Sequence, residues 1–309
     1  MSLLLQLVAN GIVYSGIIVL ASVGLSLVYS IGDFANFAHG DTMAVGAYGA
    51  LAMVGVFGSV GLTATIWGFP IGFFIALVVG MAIAALVAVL THKVVYERMD
   101  VGSIGMLITS IGIAFIYRSV IQIGFGPISQ SFGVPRFGPI PVLQDALGVA
   151  VTRRDLLIVT VSLVLVIGLH FLLQYTTLGR KMRATADNRS LARVSGIRTD
   201  RVLISMWVIG AALAAAGGVF IGLNANVYPR MGFDILLLVF AAVILGGIGS
   251  VYGAMLGGFV IGMIHELTPL LQARMGIPIG TEYAPALAFL LMVAILLWRP
   301  SGILGGIGS

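Results

Sequence analysis

The chain has 309 residues, of which 60% are hydrophobic and only 9% charged, with a formal charge of +5. A soluble globular protein carries about 25% charged residues, so that class is excluded, and the basic excess is read as a membrane-orientation signal rather than a nucleic-acid footprint. Cysteine is absent, which removes disulfides, thiolate chemistry and Cys-ligated metals together.

A helix needs about 20 mainly apolar residues to cross about 30 Å of hydrocarbon. Such runs occur at 8–30, 42–57, 68–90, 103–124, 156–174, 202–224, 235–248, 252–268 and 283–299. They predict an all-α polytopic membrane protein of about 8–10 transmembrane helices, forming one transmembrane domain over 1–309. The runs 42–57, 235–248 and 252–268 are short and are expected to be half-helices or re-entrant segments. A membrane barrel would alternate over segments of about ten residues, whereas these runs are apolar on every face. No Lys or Arg precedes Lys93, so Met1 to Asn10 lacks the basic region of a secretory signal and the first run is expected to remain as a span.

The first two runs are joined almost without a loop by Ile31 to Asp41. Asn36, His39 and Asp41 there are polar groups near membrane depth, where irregular chain survives only inside protein or beside a water-filled cavity. They are candidates for the substrate path; the alternative is an interfacial turn in which Asp41 or Thr42 caps the next helix. Arg118 lies late in its span and is expected to snorkel to the surface.

Residues 175–201 hold Arg180, Lys181, Arg183, Arg189, Arg193, Arg198 and Arg201 against Asp187 and Asp200. The positive-inside rule puts this loop in the cytoplasm. Asp187 and Asn188 can cap a short helix that Gly196 ends in the left-handed conformation. On that helix Arg189 and Arg193 share a face, and Leu191 and Val194 make a small apolar one. So short a helix is not stable alone; it either lies on anionic headgroups or docks into a partner, and its ordered pattern favours docking.

Further along, small residues recur four apart at Gly210, Ala214 and Gly218, and again at Ala254, Gly258 and Gly262, as close helix packing in lipid requires. A second break, Leu245 to Gly253, puts Gly246, Gly247, Gly249 and Ser250 between two apolar runs. It is read either as a discontinuous helix offering backbone groups to a substrate or as a hairpin turn at the cytoplasmic face. Its heptapeptide Ile-Leu-Gly-Gly-Ile-Gly-Ser recurs at 303–309. Asp234 and Glu282 sit at span starts, and His265 and Glu266 at a span end.

These residues carry a resemblance. Asn36-Phe37-Ala38-His39-Gly40-Asp41 followed by Gly46-Ala47-Tyr48, then Gly179 to Ala184 with Asn188, Ala192-Arg193 and Gly196-Ile197, then Leu245 to Ser250 with Gly253-Ala254 and Gly257-Gly258, and finally Arg299-Pro300-Ser301-Gly302-Ile303, resemble in order the motifs of branched-chain amino acid importer permeases of the ATP-binding-cassette type. Within the permease pair of such importers the chain resembles the shorter subunit. The resemblance implies a cell-membrane location and passage of branched-chain or similar amino acids. It implies a second permease, two cytoplasmic ATPases docking on Arg180, Arg183, Asn188, Arg189, Leu191, Arg193 and Gly196, and an extracellular solute-binding protein. ATP and magnesium would then bind the ATPases, with no cofactor in this chain. The sequence agrees by subtraction, since it has no G-x-x-x-x-G-K-[ST] phosphate loop. Close relatives importing urea or short amides share the motifs. Two other classes compete: an intramembrane hydrolase using Ser250 and His265, which lacks an orienting third group, and a self-contained secondary transporter, which lacks coupling carboxylates deep in its spans.

Overall fold

The structure, a computed structural model, describes residues 2–59, 64–275 and 280–305. Among the described residues the helices are α1 (Ser2–Gly32), α2 (Ala38–Ser59), α3 (Ile71–Val94), α4 (Ser103–Phe125), α5 (Pro141–Leu147), α6 (Arg153–Tyr175), α7 (Thr177–Asp187), α8 (Arg189–Val194), α9 (Thr199–Asn224), α10 (Met231–Gly246), α11 (Val251–Met275) and α12 (Ala284–Trp298). Two-residue strands, β1 (Thr65–Ile66) and β2 (Phe69–Pro70), pair as a small hairpin before α3.

Among the described residues, seven helices are long and apolar enough to cross a membrane, and α10 and α12 are shorter apolar helices. Two expected short spans are therefore full length. The run at 42–57 extends to Ala38–Gly58 because Ala38 to Asp41, read as part of a break, is already helical; the run at 252–268 lies within Val251–Leu270. The run at 235–248 is short, as expected, and so is the one at 283–299.

Burial sets the layers. The windows of α1 and α9 are 78% and 72% buried, against 28% for α4 and α6, so α1 and α9 form the centre and α4 and α6 the rim. Small residues make that centre possible, since helices in lipid associate by close backbone approach. Gly258 and Gly262 of α11 lie on Val19 and Ser15 of α1, and the Ser15 hydroxyl donates to the Phe259 carbonyl at 2.9 Å. Gly210 and Gly218 of α9 meet Gly24 of α1 and Met43 of α2. Both small-residue rows noted in the sequence are packing surfaces.

The chain doubles back twice. After α1, Asp33 turns at φ 59° and the chain returns along α1, so that His39 at the start of α2 reaches the Ala21 carbonyl. After α9, residues 225–230 likewise return, Val227 pairing with Gln130 on the way, and α10 starts against the start of α2. Gly40 and Gly232 meet backbone to backbone, and a methyl group on either would run into the other's carbonyl. The second return was not visible in the sequence, where 225–230 reads as an ordinary loop.

Candidate functional site

At the first break, Asn36, His39 and Asp41 are buried and each has a protein partner. Asn36, 2% exposed, accepts the Ala38 N–H at 3.0 Å through Oδ1 and so caps α2. Neither Asp41 nor Thr42 is the cap: the Thr42 hydroxyl donates back to the Ala38 carbonyl at 2.9 Å. His39 donates from Nε2 to the Ala21 carbonyl at 2.9 Å, which fixes the proton on that nitrogen. Phe37 N–H donates to the Ser110 hydroxyl at 2.9 Å, and the Phe37 ring lies 4.8 Å from that of Phe240 on α10.

Asp41, in the first turn of α2, pairs with Arg118 of α4 through two hydrogen bonds of 3.0 and 3.1 Å. Their side chains are 0% and 13% exposed. This corrects the snorkelling expectation for Arg118. A carboxylate in the first turn also suits the helix dipole, and the bidentate fork satisfies both charges where water is scarce. Residue type alone gave no signal for the pairing, because the partners lie on different spans.

The second break is a hairpin between α10 and α11. Gly246 and Gly253 touch, Gly247 takes φ 110° and Gly249 φ 84°. Ser250 accepts the Gly253 N–H at 3.0 Å, as the cap of α11. Ile303 and Leu304 donate their backbone N–H groups to the Leu245 and Gly246 carbonyls, both at 2.9 Å, so the tail closes the end of α10. The first three residues of the repeated heptapeptide thus lie against its earlier copy; residues 306–309 fall outside the described residues. Gly249 lies beside Ser30, so the hairpin stands at the end of the bundle where α1 finishes.

The basic segment lies at that end too. Thr176 caps α7, and Arg183 donates to the Leu173 carbonyl at the end of α6 and to Gln174. Asn188 accepts the Leu191 N–H at 2.9 Å and caps α8, as expected. Gly196 at φ 84° ends it, with Gly196 and Ile197 N–H groups returning to the Arg193 and Ala192 carbonyls, a Schellman arrangement. Within the chain α8 buries Ala192, while Leu191 and Val194 stay 64% and 87% exposed. Arg180 and Arg189 are exposed, and Arg193 lies 4.0 Å from Asp200. Behind this element, Tyr96 and Trp207 stack at 5.4 Å with Phe34 against both.

The remaining candidates lie elsewhere. His265 and Glu266 lie within the last two turns of the apolar span Val251–Leu270, as read, while α11 itself continues to Met275; His265 stacks on Tyr14 at 4.1 Å and pairs with Glu266 at 3.1 Å. Ser250 and His265 stand about four turns apart on one helix, too far for a nucleophile and its base. Asp234 lies in the first turn of α10, as read, and Glu282 in the 3-10 turn before α12.

Residues 7–296 match the family model described as branched-chain amino acid transport system / permease component. The chain is 30% identical over 305 residues to the high-affinity branched-chain amino acid transport system permease protein LivH of Escherichia coli, covering 97% of this chain and 95% of that protein. It is 29% identical over 304 residues to the corresponding BraD protein of Pseudomonas aeruginosa, with the same coverage of 97% and 95%. In fold it is similar to a chain of PsaBC from Streptococcus pneumoniae in complex with Fab, at TM-score 0.50 and 11% identity, over 96% of this chain and 93% of that one.

Proposed function

Because the chain belongs to the family of branched-chain amino acid transport system permease components, we propose that it is the permease subunit of an ATP-binding-cassette importer that passes branched-chain or similar amino acids across the cell membrane. The observation that carries this reading is α8: a capped, Schellman-ended helix that leaves Leu191, Val194 and Arg189 outward and buries little of its own surface. Such a helix needs a partner. An ATPase pair in the cytoplasm supplies one, which places the α8 end of the bundle inside the cell, in keeping with its basic residues. A second, related permease completes the path, and an extracellular binding protein delivers the solute.

The solute path runs beside the first break. Asn36, His39 and Asp41 brace its wall from behind, and the hairpin of Gly246, Gly247, Gly249 and Ser250 forms its cytoplasmic margin. Motion of α8 reaches that wall through α9, whose Trp207 stacks on Tyr96 and lies against Phe34. No step of ATP hydrolysis is assigned to this chain.

The test is reconstitution of the chain with its second permease, ATPases and binding protein in vesicles. Labelled leucine should accumulate only with ATP and binding protein. Uptake of labelled urea in place of leucine would reassign the solute, and a segment 175–201 reached by protease from the extracellular side would overturn the reading.

A further inference from the structure

The first turns of α10 put charge where lipid would penalise it. Gly232 abuts Gly40, and His39 beside it bonds to Ala21. Ala21 stands eleven residues before Gly32, the end of α1 (32 − 21 = 11). At 1.5 Å per residue that is about 16 Å of helix, roughly half of a hydrocarbon core about 30 Å thick. With Gly32 taken as the inner boundary, α10 begins in the outer half of the core: Arg118, which meets the Phe233 ring, stands seven residues, about 10 Å of helix, before the outer end of α4 at Phe125. Yet Arg230 and Asp234, 3.8 Å apart, have side chains 62% and 42% exposed, and Phe233 between them is 42% exposed. Leu237, one turn on, is 51% exposed.

Ionised side chains at such a depth face a bundle interior or a water-filled cavity. The surroundings of this face are polar in a specific way. Arg118 lies 4.8 Å and Arg230 5.9 Å from the Phe233 ring centre. Arg118 is already neutralised by Asp41, whereas the ion pair of Arg230 with Asp234 among the described residues is a loose one. Tyr228 stands beside Asp234. A guanidinium, a carboxylate and an aromatic face within two helical turns match the carboxylate, ammonium and apolar side chain of a zwitterionic α-amino acid.

Resting on the amino acid reading above, we propose that Arg230, Phe233 and Asp234 form a transit site, in which Arg230 takes the carboxylate of the solute, Asp234 its ammonium group, and Phe233 its apolar side chain. The buried groups of the first break hold this face in place from behind; they do not themselves meet the solute.

The chain lacks cysteine, which makes the test direct. In the assembled importer, Arg230→Cys and Asp234→Cys should be modified by a membrane-impermeant, positively charged methanethiosulfonate, whereas Val164→Cys, exposed on an apolar stretch of α6, should not. Failure of both to react overturns the site, whether the face is covered by lipid or by the second permease. Because labelling is read by gel shift, it holds whichever solute is carried; an unmodified importer that accumulates no leucine would instead strike down the amino acid reading. In parallel, Asp234→Asn should lower leucine uptake about tenfold or more, the worth of one charged hydrogen bond, with Asp234→Glu restoring uptake. Wild-type uptake by Asp234→Asn would also overturn the proposal.

Discussion

Arg118 grips Asp41 with two hydrogen bonds, Nε to Oδ1 at 3.1 Å and Nη2 to Oδ2 at 3.0 Å, and so ties the rim helix α4 to the buried start of α2. Removing one partner leaves the other charge buried and unpaired, which costs about 3–5 kcal/mol. Asp41→Ala should therefore lower the thermal stability of the solubilised chain sharply. Asp41→Leu combined with Arg118→Met should recover most of the loss, since an apolar replacement of both removes the desolvation penalty. A single variant as stable as the parent would show that the pair carries no weight.

The contact of Gly40 with Gly232 joins the two returning segments where α2 and α10 begin. Adding a methyl group there must push two backbones apart, because each glycine faces the other's carbonyl. Gly40→Ala and Gly232→Ala should each destabilise the chain by about 3 kcal/mol, the upper range for overpacking. Gly55→Ala on α2, which meets open space, should be tolerated. Thermal unfolding in detergent distinguishes these outcomes.

Much of this architecture could be read from the residues. Apolar runs located the spans, spaced small residues located the α1–α11 and α9 contacts, and Asn188 with Gly196 delimited α8. What escaped was long-range. Asp41 and Arg118 look like two isolated interfacial charges until the fold brings them together. The polar letters of Ala38 to Asp41 resemble a loop, although the helix already includes them, since Asn36 caps α2 from outside and Arg118 answers the carboxylate. The return at 225–230 has no compositional mark, so the depth of Arg230 and Asp234 is a property of the Gly40–Gly232 contact alone.

The docking role of α8 predicts separable effects. Arg189→Glu with Arg193→Glu should abolish stimulated ATP hydrolysis and uptake while membrane insertion persists, because both residues are exposed and Arg193 is held by a 4.0 Å contact with Asp200 and a 3.4 Å hydrogen bond to Thr199. Asn188→Ala removes a cap worth about 1 kcal/mol and should weaken coupling less. Unchanged uptake in the double variant would remove docking from this helix.

The tail offers a further handle on the α10–α11 hairpin. Helix ends leave carbonyl groups without intrahelical partners, and those of Leu245 and Gly246 are taken by the N–H groups of Ile303 and Leu304. Both acceptor residues are buried, so water does not replace the lost bonds freely. Truncation after Pro300 should strand the two acceptors, at about 1–3 kcal/mol each. The loss should appear first as faster amide exchange in the last turn of α10 and the first of α11, with α1 and α9 still protected. Gly247→Ala should produce the same local signature, because φ 110° disfavours a side chain and Gly302 and Gly305 lie against it. Exchange in that hairpin as slow in the truncated chain as in the parent would mean that the tail lies on α10 without holding it.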